Sequence, residues 1–288
     1  MEAAVAAPWL AQMRGSHHIV VTGPKGGTGT TTTAAMLGLC LADVRGEIVS
    51  VVDANLHLGT LRRRVVSNAT NPTRSFRELC VRELTGDVLP EWSALAPYTD
   101  VVDGLRVLRS RAADSTGEEC LSSREFAAGI GVLRRAAQIV ISDVGTPANG
   151  PIGVAALESA STLVLATELA YDSLELTIEM VSALAGEPLS YRPDPDDWSA
   201  LSDGRFAPLV QGAIVVIAPG RADAGGVDLT AMVEWLRVVC EGGVFLINRD
   251  DHLALGDLIV LSQLQPETAV AYLRIVAAVA ARFPLGEG

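Results

Sequence analysis

Apolar runs suited to strands alternate along the chain with segments whose apolar residues recur at helical spacing. The strand-like runs are His18–Thr22, Glu47–Asp53, Leu105–Leu108, Gln138–Asp143, Thr162–Thr167, Ala213–Ala218 and Val244–Ile247. Most are continuous in Val, Ile and Leu rather than alternating with polar residues, the pattern of strands covered on both faces. The helical stretches between them are Thr30–Ala42, Ser75–Leu84, Ser123–Ala137, Ser173–Ala185, Leu229–Val239 and Pro266–Arg282. Ser122, followed three residues later by Glu125, makes a capping box that fixes the start of the third helix. This alternation predicts an α/β fold: a doubly wound, mainly parallel sheet with helices on both faces. It reads as a lead segment over 1–17 and a single domain over 18–288. Gly186–Pro208, containing P-D-P-D-D-W, is polar and acidic, and its prolines would break a helix or a strand ladder. A surface loop is expected there.

Composition narrows the function classes. The 288 residues are 49% hydrophobic, 5% aromatic and 19% charged, enough apolar content to bury a sizeable core and to exclude overall disorder. Acidic residues (34) outnumber basic ones (22), for a formal net charge of -12, which argues against non-specific binding to a phosphate backbone. The densest basic run, Arg62, Arg63 and Arg64, reads as a solvated helix face or a partner contact rather than a nucleic-acid patch. No apolar run approaches the roughly 18 to 20 residues of a membrane span. The first residues carry no basic region of a secretory signal. Cys40, Cys80, Cys120 and Cys240 lie far apart without a C-x-x-C pair, as expected of reduced, buried thiols in a cytoplasmic protein. His17, His18, His57 and His252 have no metal-ligand spacing, so no metal site follows from them. The last helix flanks alanine and valine with Arg274 and Arg282, which suits packing onto the sheet better than lying on a membrane.

The candidate chemistry begins at G-P-K-G-G-T-G-T-T, Gly23 to Thr31, directly after the first strand and opening the first helix. A phosphate loop has the form G-x-x-x-x-G-K-[ST] in that context, because glycines let backbone N–H groups turn inward around phosphate oxygens. Gly23 and Gly29 occupy the two required glycine positions, and Thr31 stands where the magnesium-binding hydroxyl belongs. Thr30 replaces the expected lysine, and a lysine occurs early in the loop instead, at Lys25. The plainer alternative is an ordinary glycine-rich turn. The strand–loop–helix context and four glycines favour the phosphate loop.

K-G-G-T-G with its early lysine resembles the deviant Walker A motif of the ParA/MinD superfamily of dimerising ATPases. The resemblance extends to V-V-D-A-N, Val51 to Asn55, and to I-V-I-S-D-V-G-T-P, Ile139 to Pro147, which is similar to the family's Walker B and switch segment. It implies ATP and Mg2+ as cofactors. Gly23, Lys25, Gly26, Gly27, Thr28, Gly29, Thr30, Thr31 and Thr32 would hold nucleotide, with Lys25 reaching a partner's site across a homodimer. Thr31, Asp53 and Asp143 would attend the metal, and Lys25, Asp53 and Asp143 the chemistry. Without the resemblance, each strand-end aspartate also reads as a helix cap or turn former.

Three departures qualify what is implied. Thr30 removes a charge that would face the phosphates, and a charge-assisted contact is roughly twice as strong as a neutral one. Asn55 replaces the second acidic residue of D-x-D, and an amide cannot accept a proton as a carboxylate can. The late strand ends Ala218-Pro219-Gly220 instead of the family's adenine-contacting Asn-Lys/Arg, leaving Asn248 and Arg249 after the next strand to serve. Within the superfamily, D-A-N followed by G-T-L-R-R-R-V most resembles actinobacterial MinD-like proteins, some of which accompany type VII (ESX) secretion genes. Loss of the loop lysine is similar to the pilus-localising CpaE/TadZ branch. The resemblance implies a nucleotide-dependent dimer with slow or no hydrolysis and a protein partner in a secretion, pilus or positioning system. An active partitioning ATPase and a pseudo-ATPase scaffold without nucleotide remain open beside it.

Overall fold

The computed structural model describes residues 13–54, 59–67, 73–86, 91–110, 121–145, 149–187, 201–220 and 229–284. Its strands are β1 (His17–Thr22), β2 (Val49–Asp53), β3 (Thr99–Val102), β4 (Leu105–Leu108), β5 (Ile139–Asp143), β6 (Thr162–Glu168), β7 (Ile214–Ala218) and β8 (Val244–Leu246). They form one eight-stranded sheet in the order β3-β4-β2-β5-β1-β6-β7-β8. Every pairing is parallel except β3 with β4.

Alternate residues of the inner strands enter opposite cores, which is why most of the strand sequences are continuous in apolar residues, whereas the edge strands β3 and β8 are covered less fully. Ile19, Val21, Val49, Val51, Ile139 and Ile141 face one layer, with α1 (Thr30–Val44) and the C-terminal helix α11 (Pro266–Ala280). Val20, Val52, Val140, Leu163 and Leu165 face the other. That second layer holds α3 (Phe76–Leu84), α5 (Ser123–Ala136), α6 (Pro151–Ser159), α7 (Tyr171–Ala185) and α9 (Thr230–Val239). Short helices α2 (Leu61–Val65), α4 (Trp92–Leu95), α8 (Ala207–Gln211) and α10 (Asp251–Ala254) complete the chain. In α11 the buried residues include Tyr272, Ile275, Val276 and Val279, so this helix packs onto the sheet as its alanine- and valine-rich sequence suggests.

The capping box at Ser122 and Glu125 is present, with the Glu125 N–H donating to Ser122 Oγ at 3.2 Å and the Ser122 N–H to Glu125 Oε2 at 2.7 Å. Besides the short helices α4, α8 and α10, which the sequence reading did not include, three larger departures stand out. Thr99–Val102 is an additional strand, turned onto β4 through Asp103 (φ 48°) and Gly104 (φ 84°). Pro151–Ser159 is an additional helix that starts on its proline, where no N–H is needed. The loop expected to run to Pro208 gives way earlier, because Leu201 and Phe206 are buried and Pro208 lies in the first turn of α8. The stretch 188–200, with its P-D-P-D-D-W, lies outside the described residues, as do Asn55, His57 and Cys120.

Candidate functional site

Strand β1 is central: the chain leaves it for β2 on the β5 side and later crosses from β5 to β6 on the other side, so the direction of winding reverses beside β1. A crevice opens beyond the strand ends at such a reversal, and the glycine loop sits there. Gly23 leaves β1 so close to β6 that a Cβ would stand 2.5 Å from the Ala166 carbonyl oxygen and 2.7 Å from Thr28 Oγ1. Only glycine fits. Gly27 (φ 87°) and Gly29 (φ 89°) adopt the left-handed region that side chains disfavour. Thr28 is buried and its hydroxyl donates to the Lys25 carbonyl at 3.1 Å, tying the crown of the loop together.

Gly29 is the N-cap of α1 and offers no side chain to its first turn, Thr30–Thr33. The Thr33 N–H donates to the Gly29 carbonyl at 2.8 Å, and the N–H groups of Thr30, Thr31 and Thr32 are left to an external acceptor, with the positive end of the helix dipole behind them. Gly26 is exposed at the tip. Lys25 is ion-paired with Asp172 in the first turn of α7, an exposed contact of small energetic weight.

Two carboxylates stand beside the loop because β2 and β5 are in register, Asp53 opposite Asp143. Both are buried. Burial pushes the Asp143 carboxyl up to about 6, countered in part by the Thr31 hydroxyl. Its Oδ2 has no hydrogen-bond partner among the described residues. Asp53 Oδ2 accepts the Leu61 N–H at 3.2 Å, at the start of α2. The chain closes over Asp53 at Gly59, where a Cβ would lie 2.1 Å from the carboxylate.

Next to the loop is a pocket of about 250 Å³. Gly27, Gly29 and Thr32 form one wall, Ala218 at the end of β7 and Pro219 after it another, and Asn248 with Arg249 after β8 the far rim. The tertiary structure thus brings Asn248 to the loop across some two hundred residues of sequence. Asp250 shapes that rim by capping α10: Oδ1 accepts the N–H groups of His252 (2.9 Å) and Leu253 (3.2 Å), and Oδ2 accepts that of Gln265 (2.9 Å). Burial would raise its carboxyl, but these hydrogen bonds outweigh it and hold the pKa below the usual carboxylate range. Tyr272 lines the pocket floor from α11, with its hydroxyl pushed up to about 12 by burial.

The arginine run is not a solvated face. Arg62 Nε donates to the buried Asp100 at 2.7 Å, and Arg64 is buried, with its guanidinium on Thr32, Leu253 and Asp257. Arg63 alone of the three is exposed. A helix this short has no periodicity to reveal which side faces inward. Asp250 carried a legible signal, an Asp before a helical turn. Arg64 and Tyr272 carried none.

No protein-family model matches the chain. It is 28% identical over 281 residues to the ESX-1 secretion-associated protein EspI of Mycobacterium tuberculosis, an alignment covering 94% of this chain and 37% of that protein. The chain thus spans little more than a third of the length of the curated relative it matches. Among solved structures it resembles a ParA family ATPase from Chlorobium tepidum (TM-score 0.64, 16% identity, 91% of this chain and 98% of that one). It also resembles the Pyrococcus furiosus cell division ATPase MinD (TM-score 0.60, 18% identity, 92% and 99%). A third similar structure is the septum site-determining protein MinD of Pyrococcus horikoshii, solved with Mg-ADP (TM-score 0.58, 19% identity, 91% and 94%). The fold is that of the ParA/MinD ATPases.

Proposed function

We propose that this chain is a nucleotide-dependent homodimer that binds Mg–ATP, hydrolyses it slowly, and acts as a positioning or regulatory factor for a secretion or pilus-type machine. The observation that carries the reading is Asp143, a buried carboxylate with an orphaned oxygen beside an uncapped glycine loop. Such a group is costly to bury unless something cationic completes it. The donor set fits a hard divalent ion that keeps most of its waters and takes few protein oxygens. Thr31 and Asp143, with Asp53 alongside, would hold it. When bound, Mg2+ would offset phosphate charge. The loop N–H groups and the N-terminus of α1, Thr32 included, would bind the phosphates, and the part of the pocket that runs from there to Asn248 would take the base and sugar.

Thr30 supplies no charge to this site, so the loop's only cation is Lys25. In the monomer it lies against Asp172, and in a dimer it would serve the facing site. Nucleotide binding and dimerisation then reinforce each other by the same factor, because linkage is reciprocal. The similarity to an ESX-1 secretion-associated protein supports the secretion setting.

Calorimetry with ATP, with and without Mg2+, alongside light scattering, tests the reading. Expected are magnesium-dependent binding, ATP-dependent dimers, loss of the magnesium dependence in Asp143→Asn, and turnover well under about 1 s⁻¹. A chain that folds but binds no nucleotide would instead be a scaffold, and salt-sensitive retention of random duplex DNA would point to partitioning.

A further inference from the structure

Arg64 is a cation in an unusual place. It projects from α2 behind the nucleotide pocket, and its residue is only 6% exposed. Nη2 donates to Thr32 Oγ1 at 2.6 Å and to the Leu253 carbonyl at 3.2 Å, and Nη1 donates to the Asp257 carbonyl at 3.1 Å. Every one of these acceptors is neutral. Among the described residues, no carboxylate lies within 4.0 Å of the guanidinium. Burial lowers its pKa, while Tyr272 and Asp257 support the charge. A guanidinium still does not lose its proton in a protein, so a full positive charge is retained there.

Two of its three acceptor residues, Thr32 and Leu253, line the pocket, and Nη2 ties them together. The bond to Thr32 has a directional consequence. Because Nη2 fills a lone pair on Oγ1, the Thr32 hydroxyl is left to donate its own proton, and donation into it makes it a better donor. A hydroxyl in the first turn of α1, polarised from behind by a buried cation, favours an anion in front of it.

We propose that Arg64 is the positioning residue for the phosphates of the bound nucleotide, compensating through Thr32 for the lysine that the loop lacks at Thr30. The inference rests on the nucleotide reading above and adds the residue that directs its preference for a charged ligand. Arg64 itself does not line the pocket; it acts through the Thr32 hydroxyl and through the local potential.

The test compares the affinities of ADP and adenosine, with Mg2+, in wild type, Arg64→Gln and Arg64→Lys, with urea unfolding to establish that each variant is folded. A residue that merely braces the pocket wall would, when changed, weaken both ligands alike. Arg64→Gln should weaken ADP by about tenfold or more, the scale of one charge-assisted contact, and leave adenosine within about twofold. Arg64→Lys, which keeps the charge, should retain most of the preference for ADP over adenosine. Should the Gln variant not fold, the Lys variant decides: a folded Arg64→Lys that has lost the preference overturns the proposal. Equal weakening of ADP and adenosine in either variant also overturns it. Wild type that binds neither ligand overturns the nucleotide reading itself, and this inference with it, whereas intact wild-type binding with an unchanged Arg64→Gln overturns this inference alone.

Discussion

Lowering the pH from 7 to 5 should destabilise the fold by about 3 kcal/mol, chiefly through the two histidines that open β1. His17 and His18 are buried at 3% and 0% exposure. His17 Nε2 meets Thr162 Oγ1 at 2.8 Å. His18 Nδ1 lies 3.2 Å from the Ser159 carbonyl, which can only accept, so Nδ1 carries the proton and Nε2 accepts from the Ser142 hydroxyl at 2.8 Å. Burial, helped by the charge of Arg134, pulls His17 down to about 4 and His18 to about 3 from an ordinary 6.5. Both are therefore neutral in the folded chain down to acid pH, whereas the unfolded chain takes up protons below 6.5. Their contribution is complete above about 6.5 and falls as the pH drops towards 4 for His17 and 3 for His18. At pH 5 each histidine has withdrawn about 2 kcal/mol, about 4 together. Asp143 runs the other way. Its folded pKa of about 6 lies above the ordinary 3.8, so it gains a proton in the folded state first and returns about 1 kcal/mol by pH 5. The carboxyls held low, Glu47, Glu125 and Asp250 among them, lose their contributions only below about 4.5, outside this window.

Urea unfolding at pH 7, 6 and 5 measures this directly. The midpoint should fall steadily, and Asp143→Asn should show the larger loss of about 4 kcal/mol, since the opposing group is gone. A midpoint at pH 5 equal to or above that at pH 7 would refute the reasoning, as would imidazole proton resonances of His17 and His18 that titrate near 6.5 in the folded chain.

Three substitutions probe the loop and the packing. Thr30→Lys should tighten ATP binding to the monomer roughly ten- to a hundredfold, one charged hydrogen bond's worth, and loosen its coupling to dimerisation, as read by calorimetry and sedimentation. Lys25→Ala should weaken ATP binding and ATP-dependent dimerisation together; a variant that binds and dimerises like wild type would remove Lys25 from the site. Gly129→Ala on α5 should lower stability by about 1–3 kcal/mol in urea titrations despite the better helix former, because its Cβ would come within 2.3 Å of Cys80 Sγ and 3.1 Å of the Phe76 ring.

The glycine loop was legible because its chemistry is local. Strand, loop and helix follow one another within a few residues, and the positive φ of Gly27 and Gly29 shows in their residue type. The additional hairpin left a mark too, since Asp103-Gly104 is a two-residue turn with positive φ at both positions, flanked by Val101–Val102 and Leu105–Leu108. Helix α6 was harder. Its nine residues, Pro151–Ser159, are apolar on most sides because the helix is wedged between the sheet and α5, so no amphipathic stripe stands out.

By itself, then, the order of residues determined the layered α/β architecture, the capped helix that starts at Ser122, and the loop that opens α1. These follow from periods of two and 3.6 residues, from capping chemistry and from glycine's freedom, all of which act over a few positions. The tertiary structure decided which polar residues meet. Asp53 and Asp143 are ninety residues apart and face each other only through strand register. Asn248 reaches the loop only because β7 and β8 continue the sheet beyond β6. Arg64, one of three adjacent arginines, is turned inward by a helix of five residues and held by two distant carbonyls and a threonine. Burial and charge environment are properties of the packed chain, and nothing in a run of like residues distinguishes the one that the fold encloses.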